Sequence, residues 1–252
     1  MIDQLGLIAL GFAAGVLGSM IGLGGGIIVV PILTFFGFSP TLSASSSLFA
    51  AFSNAVASTI SYSKQKRIEY SLGLKLGLLT IPGTVLGAYV SSDVSPAIFK
   101  ILFGIVLIAS AVYIFLRKKI EDKKVNLSKQ MLVFAIAASF FAGILSAFFG
   151  IGGGIIFVPL MVVGMGMAMK KAAPTSQLIL LFASFSGVVV HTLLGHSDFM
   201  VAGLLAIGSF AGGLVGARLS VDIKERFLQI IVSIVIIAAA IKMFVDSMTS
   251  GF

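Results

Sequence analysis

Long apolar runs separated by short polar stretches follow one another along the whole chain. The runs cover residues 5–21, 26–38, 42–62, 71–91, 97–116, 131–149, 154–166, 173–194, 200–217 and 227–246. Most of them have the ~20 residues that a helix needs to cross a ~30 Å hydrocarbon layer. Runs 26–38 and 154–166 are shorter and reach only about 20 Å at ~1.5 Å per residue. The pattern predicts an all-α integral membrane protein with 8–10 membrane segments, two of them short.

The ten apolar runs form two copies of one five-segment unit. GLGGGIIVVP at 22–31 matches GIGGGIIFVP at 150–159, and the two stretches differ only at their second and eighth positions. One extra residue then moves the offset from 128 to 129, and small and acidic residues stay in register at the new offset. Chance apolar similarity would not keep glycines aligned. We therefore predict one membrane domain, 1–252, with a first repeat at 1–116, a basic linker at 117–129 and a second repeat at 130–252.

Composition supports a membrane protein and narrows its chemistry. Only 10% of the 252 residues are charged, against about 25% in soluble domains, and the mean hydropathy is +1.16. The chain has no cysteine and two histidines, which argues against a metal site, and we predict no cofactor. The net charge of +8 lies in short loops between apolar runs. That placement is typical of orientation signals at a membrane face and disfavours nucleic-acid binding.

The distribution of Lys and Arg predicts the orientation. Most of the 17 basic residues fall in four clusters, at 64–67, 117–129, 170–171 and 218–226. All four lie on one face if the first long run and the short run after it return the chain to its starting side. The second repeat is then inverted relative to the first. The positive-inside rule predicts a cytoplasmic linker, with both termini outside the plasma (inner) membrane. Four crossings per half would split the clusters between the faces.

Inverted repeats with interrupted segments at matching positions are the sequence pattern of a secondary transporter. Non-helical backbone at membrane depth is tolerated only where protein buries it or a water-filled cavity solvates it. Two glycine breaks could meet at a shared site near the midplane. Their free N–H groups, at the positive ends of the short helices, favour an anion. The candidate backbone donors are Gly24, Gly25, Gly26, Gly152, Gly153 and Gly154.

Polar side chains open the next long run in each half. Ser46 and Ser47 align with Thr175 and Ser176 at the offset of 129. Their hydroxyls can cap the helix, and they can also donate to an oxyanion. The amides of Asn54 and Gln177 lie inside apolar runs, where polar groups are costly and often functional. We include all six side chains in the candidate substrate site, with capping alone as the other interpretation of the hydroxyls.

Other notable residues have simpler interpretations. Glycines such as Gly83, Gly87, Gly212 and Gly216 fit close helix packing. His191 fits the end of a helix better than a proton carrier.

The duplicated glycine motif, followed by Ser46-Ser47 in one copy and Thr175-Ser176 in the other, resembles the TauE/SafE family of sulfite-exporter-like permeases. The resemblance covers almost the whole chain. It implies an inner-membrane permease for sulfur-containing anions such as sulfite or sulfonates, driven by an ion gradient. The second copy continues with Gln177 where the first has Leu48, so the two half-sites are not chemically equivalent.

The resulting hypothesis is a secondary transporter, an exporter of a small anion, in which one repeat rocks against the other. Its expected partners are the anion, a coupling proton or sodium ion, and the lipid bilayer. A passive anion channel and a non-transporting membrane scaffold are the alternatives. An intramembrane enzyme is disfavoured because no base is paired with a nucleophile in the apolar runs. The sequence leaves open which anion is moved, the direction, the coupling ion, the oligomeric state and whether the short segments span or re-enter.

Overall fold

The computed structural model shows a bundle of helices. It describes residues 2–92, 94–116 and 129–221, together with residues 230, 233, 234, 236–241, 243 and 245, and contains no strand among them. The predicted linker 117–129 lies outside the described residues except for Lys129. The last predicted run, 227–246, is described only at those scattered positions, all of them helical. The predicted all-α membrane fold is confirmed, whereas the repeat boundaries stay a prediction.

The helices follow the predicted runs closely. In chain order they are α1 (Gln4–Ile21), α2 (Gly26–Phe35), α3 (Pro40–Lys64), α4 (Tyr70–Ser92), α5 (Pro96–Leu116), α6 (Lys129–Phe149), α7 (Gly154–Pro159), α8 (Met169–Leu193) and α9 (Phe199–Leu219). Helix α7 continues directly into a π-helical turn, Leu160–Gly164. Asp3 and Asp198 cap α1 and α9 by accepting backbone N–H groups of the first turn, as short polar side chains do at helix starts.

Five described segments are long and apolar enough to cross a membrane. They are Gln4–Ile21, Tyr70–Ser91, Pro96–Tyr113, Met169–Leu193 and Phe199–Leu219. Helix α3 has 25 residues, about 37 Å at ~1.5 Å per residue, but its many serines leave it outside this set. Helix α2 has 10 residues and spans only about 15 Å. The two short segments are therefore helices of half the membrane thickness.

Glycines bring helices of different repeats into backbone contact. Gly208 and Gly212 of α9 lie against the Ile8 and Phe12 carbonyls of α1. Gly83 and Gly87 of α4 lie in the same way against the Phe140 and Ile144 carbonyls of α6. The residue numbers rise together in both pairs, so α1 runs parallel to α9 and α4 runs parallel to α6. The predicted helix-packing role of these glycines is confirmed.

Helices α3 and α8 pack against each other in opposite directions. Near the start of α3, Ser45 Oγ lies 2.8 Å from Ser197 Oγ, just after the end of α8. Just after the end of α3, Arg67 Nε donates to the carbonyl of Lys170, near the start of α8, at 2.8 Å. Leu48 lies against Gly187 between these two ends. The corresponding helices of the two repeats are thus antiparallel neighbours.

The short helix α2 turns back along α1. A Cβ atom on Gly25 would lie 2.7 Å from the carbonyl oxygen of Ala14, halfway along α1. The chain therefore reverses after Ile21, and α2 starts beside the middle of α1. With its length of about 15 Å, α2 covers about half of a ~30 Å hydrocarbon layer.

Candidate functional site

Each repeat contains a glycine turn, which we define as residues 22–26 in the first repeat and 150–154 in the second. Three glycines of each turn adopt left-handed backbone angles: Gly22, Gly24 and Gly25 (φ 83°, 81° and 78°), and Gly150, Gly152 and Gly153 (φ 73°, 77° and 86°). Residues with a Cβ atom adopt this region at a cost of about 1–2 kcal/mol each. The repeated glycines are therefore required by the backbone path, which is the same in both copies.

The two glycine turns lie directly against each other. A Cβ atom on Gly26 would overlap the carbonyl oxygen of Gly150, and one on Gly154 would overlap the carbonyl oxygen of Gly22. The first residue of one turn thus faces the last residue of the other, and the turns run antiparallel. The structure brings together all six glycines that the sequence predicts as backbone donors, but the Gly24 N–H donates to the Gly18 carbonyl at 3.3 Å and is not a free donor.

A serine from each repeat anchors the glycine turn of the other repeat. Ser47 Oγ donates to the carbonyl of Gly150 at 2.7 Å. Ser176 Oγ donates to the carbonyl of Gly22, also at 2.7 Å. Since Ser47 and Ser176 occupy equivalent positions, the two hydrogen bonds are copies of one contact. In this conformation both hydroxyl protons are used to position the turns.

The start of each short helix presents free backbone donors. Within the described part of the chain, no acceptor is hydrogen-bonded to the N–H groups of Gly25, Gly26, Gly153 or Gly154. All four residues are buried. Unpaired buried N–H groups are costly, and at a helix N-terminus they attract negative charge.

The remaining predicted side chains divide into bonded and unbonded groups. Thr175 Oγ1 accepts the N–H of Glu69 at 3.0 Å, so it ties α8 to the start of α4. Gln177 Nε2 donates to the carbonyl of Gly18 at 2.9 Å. Ser46 Oγ, Gln177 Oε1 and both polar atoms of Asn54 have no partner among the described residues. Ser46 Oγ and Asn54 Nδ2 can donate to an anion, whereas Gln177 Oε1 and Asn54 Oδ1 can only accept hydrogen bonds, and Asn54 Oδ1 lies against Gly213 of α9.

The candidate site is closed in this conformation. Its six predicted side chains, Ser46, Ser47, Asn54, Thr175, Ser176 and Gln177, are all 0% exposed. An anion could reach the glycine turns only after parts of the protein move.

Two residues that the sequence analysis did not assign to the site belong to its surroundings. Leu180 lies against both Gly24 and Gly152, so one aliphatic side chain contacts both turns. Tyr62 donates its hydroxyl to the carbonyl of Ser19 at 2.8 Å, three residues before the first glycine turn. At the 129-residue offset between the repeats, the residue equivalent to Tyr62 is His191.

Basic residues gather at one end of the helix bundle. Arg67 NH1 donates to Gln65 Oε1 at 2.8 Å and to Ser220 Oγ at 2.9 Å, in addition to its bond with the Lys170 carbonyl. Lys171 forms an ion pair with Glu69 at 3.4 Å. Burial lowers the pKa of Arg67, while the nearby Tyr62 raises it. The clusters at 64–67, 170–171 and 218 therefore share one end, as predicted.

Comparisons with known proteins agree with a transport function. The family described as "Sulfite exporter TauE/SafE" matches residues 7–243. The "Probable membrane transporter protein YunE" of Bacillus subtilis is 30% identical over 270 residues, covering 97% of this chain and 98% of its own. The "Probable membrane transporter protein MJ0441" of Methanocaldococcus jannaschii is 30% identical over 243 residues and 90% of both chains.

A third relative, the "Probable membrane transporter protein YfcA" of Escherichia coli, is 24% identical over 235 residues, covering 93% of this chain and 87% of its own. No solved structure matches the chain. The match to the family covers nearly the whole chain. Five helices of the described structure are long and apolar enough to cross a membrane, as a multi-pass membrane protein requires. The protein is a membrane transporter, and the chain belongs to the TauE/SafE sulfite exporter family.

Proposed function

We propose that the protein is a secondary transporter that exports a small sulfur-containing anion, sulfite or an organosulfonate, across the plasma membrane. The observation that carries the proposal is the meeting of two glycine turns whose helix N-termini leave buried N–H groups unbonded. Such groups stabilise an anion without any basic side chain. The family name and the names of the relatives point to the same class of substrate or to transport in general.

The transport cycle that we propose is alternating access around the glycine turns. The antiparallel packing of α3 on α8, and the parallel pairs α1–α9 and α4–α6, support two repeats of opposite orientation. Rocking of one repeat against the other would open the closed site to one face and then to the other. The basic end then faces the cytoplasm by the positive-inside rule, and both termini lie outside.

The substrate contacts that we propose combine backbone and side-chain groups. The N–H groups of Gly25, Gly26, Gly153 and Gly154 hold the anion's oxygens. Ser46 Oγ and Asn54 Nδ2, which have no partner in the described structure, and the second N–H of Gln177 Nε2 add side-chain donors. Ser47, Thr175 and Ser176 hold the turns and helices in place through the hydrogen bonds described above.

A pair of glycine variants distinguishes a loss of the anion site from the effect of backbone strain alone. Gly153 (φ 86°) and Gly37 (φ 87°) share the same left-handed angle, so Gly153→Ala and Gly37→Ala each cost about 1–2 kcal/mol. A Cβ atom on Gly37 meets nothing within 4 Å, and one on Gly153 lies 3.3 Å from the Ala142 carbonyl. We expect Gly153→Ala to abolish sulfite counterflow in proteoliposomes and Gly37→Ala to retain it.

The same assay separates the alternatives. Saturable counterflow supports a transporter, whereas flux that rises in proportion to sulfite concentration would indicate a channel. Folded wild-type protein that neither binds nor moves sulfite or an alkyl sulfonate would refute the proposal. Equal flux through the two glycine variants would refute the site.

A further inference from the structure

The two helices that lead into the glycine turns pack against those turns at different distances. Helix α1 leads into the first turn and α6 into the second. A Cβ atom on Gly25 would lie 2.7 Å from the carbonyl oxygen of Ala14, whereas one on the equivalent Gly153 would lie 3.3 Å from that of Ala142. The second turn therefore lies farther from its leading helix than the first turn does.

The residue at this contact is a glycine in one repeat and a serine in the other. Gly18 of α1 and Ser146 of α6 align at the offset of 128. A Cβ atom on Gly18 would lie 2.2 Å from the nitrogen of Gly25, so the backbone of α1 packs directly on the first turn. The Cβ atom of Ser146 lies 3.6 Å from the Cβ position of Gly153, an ordinary van der Waals distance. Helix α6 thus approaches the second turn through a side chain that carries a hydroxyl.

The hydroxyl of Ser146 is not used by its own helix. Serines inside helices often donate to a carbonyl one turn earlier, as Ser139 of α6 does to Ala135 at 2.8 Å. Ser146 Oγ is fully buried and has no partner among the described residues. A buried hydroxyl without a partner costs free energy and requires an explanation such as a water molecule or a bound ligand. Its proton is therefore available to a ligand beside the second turn.

The groups around Ser146 favour an anion. The N–H groups of Gly153 and Gly154 have no acceptor within the described part of the chain, and N–H groups can only donate. A hydroxyl can donate in the same direction. Residues 130–168 contain no Asp, Glu, Lys, Arg or His, so neighbouring donors rather than a charged side chain would stabilise the ligand on this side.

The equivalent place at the first turn is already occupied. Three N–H groups of the first turn and the Gln177 amide all donate to the Gly18 carbonyl. In the sequence the counterpart of Gln177 is Leu48, which has no polar atom to offer to the second turn. The extra polar side chain beside each turn thus comes from a different helix, Gln177 from α8 and Ser146 from α6.

We propose that Ser146 is a substrate-binding residue and makes the second glycine turn the tighter half of the anion site. Its hydroxyl donates to one oxygen of the anion, and the N–H groups of Gly153 and Gly154 donate to the same anion. This inference rests on the proposed transport function. An oxyanion such as sulfite or an alkyl sulfonate suits this side, because its several oxygens accept the three donors together.

The substitution Ser146→Ala removes the hydroxyl and keeps the Cβ atom that lies against Gly153. We expect the half-saturating sulfite concentration for counterflow to rise about tenfold, as the loss of one hydrogen bond to a charged group predicts. Ser139→Ala is the matched control on the same helix. It removes an equally buried hydroxyl whose proton is already donated to Ala135, and it should leave the half-saturating concentration unchanged.

Thermal unfolding in detergent at a fixed pH separates a binding role from a structural one. Without sulfite, Ser146→Ala should have the same Tm as the wild type or a higher one, because it removes an unpaired hydroxyl and alanine favours a helix. Sulfite should raise the Tm of both proteins by binding to the folded state. The variant should need about ten times more sulfite for the same rise. A lower Tm with an unchanged dependence on sulfite would show a structural hydroxyl and overturn the proposal.

The outcomes distinguish this inference from the transport proposal. Saturable counterflow whose half-saturating concentration is the same in wild type and Ser146→Ala would overturn the role of Ser146 and leave the transport proposal standing. Both measurements are run in parallel with methanesulfonate, and the tenfold change is expected for whichever anion the wild type transports. Folded wild-type protein that neither binds nor moves either anion would overturn the transport proposal instead.

Discussion

The two glycine turns have the same backbone but different neighbours. Leu180 of α8 lies against both Gly24 and Gly152, whereas its equivalent in the first repeat is Ala51. A Cβ atom on Gly152 would lie 3.3 Å from Leu180 and 3.6 Å from Ala51. The centre is therefore filled from one side by a leucine that has no counterpart on the other. The two copies share the glycines that the backbone path requires and differ in the side chains packed on them.

The helices that follow the two glycine turns also differ from each other. Helix α2 is a regular α-helix of 10 residues, whereas α7 has 6 and passes into a π-helical turn of 5 residues. π-helical turns often lie at functional sites. The first repeat contributes Asn54 where the second has Ala183, and the second contributes Gln177 where the first has Leu48. The two halves of the candidate site thus share a backbone conformation and differ in their polar side chains.

The largest effects of substitution are expected at the contact between the two glycine turns. Gly26→Ala and Gly154→Ala each place a methyl group on a backbone oxygen of the other turn. We expect each to lower the free energy of unfolding by about 1–3 kcal/mol, since overpacked sites must shift, and to abolish sulfite counterflow. The size of the two effects should be similar because the contacts are equivalent.

Thermal unfolding in detergent, together with counterflow, measures these effects. Gly203→Ala is the matched control, because a Cβ atom at this position in α9 meets nothing within 4 Å. It should gain up to about 1 kcal/mol from the better helix propensity of alanine. Variants at Gly26 and Gly154 that are as stable as this control would show that the turns are not in contact.

Much of this frame could be predicted from the sequence because its signals are local. The repeated glycines fixed the position of both breaks, and the clusters at 64–67 and 170–171 predicted the shared basic end. The hydrogen bonds of Ser47 and Ser176 could not be predicted, since each partner lies more than 100 residues away. The common role of Tyr62 and His191 could not be predicted for another reason, although the 129-residue offset aligns them. Tyr62 contacts the Ser19 carbonyl and His191 contacts the equivalent Ala147 carbonyl, but a phenol and an imidazole share no sequence signal.

A smaller effect is expected where the half-sites differ in polarity. Gln177→Leu gives the second repeat the residue that the first has at position 48. The Gly18 carbonyl keeps the N–H groups of Gly22 and Leu23 as donors, so we expect little loss of stability. The half-saturating sulfite concentration should rise about tenfold, because a hydrogen bond to a charged group contributes about 1.5 kcal/mol or more.

Counterflow at graded sulfite concentrations provides the measurement for this variant. Gln4→Leu removes an exposed amide at the start of α1 and should leave the half-saturating concentration unchanged. The reverse substitution, Leu48→Gln, adds an amide to the first half-site and tests whether the two positions are interchangeable. An unchanged half-saturating concentration in Gln177→Leu would remove Gln177 from the site.

The smallest effect is expected in the loops after α3 and α8. There the two repeats have the same left-handed backbone angle at equivalent positions but different residues, Lys66 and Gly195. Lys66 is exposed and adopts the left-handed angle that Gly195 adopts without strain. Lys66→Gly should therefore stabilise the protein by up to about 1 kcal/mol, somewhat less than the cost of the left-handed angle because glycine also gains freedom in the unfolded chain. A domain of this size gains about 2–4 °C in Tm per kcal/mol. Gly195→Lys, whose Cβ atom meets nothing within 4 Å, should lower Tm by a similar amount. Shifts of the same sign in both variants would mean that the two loops are not equivalent.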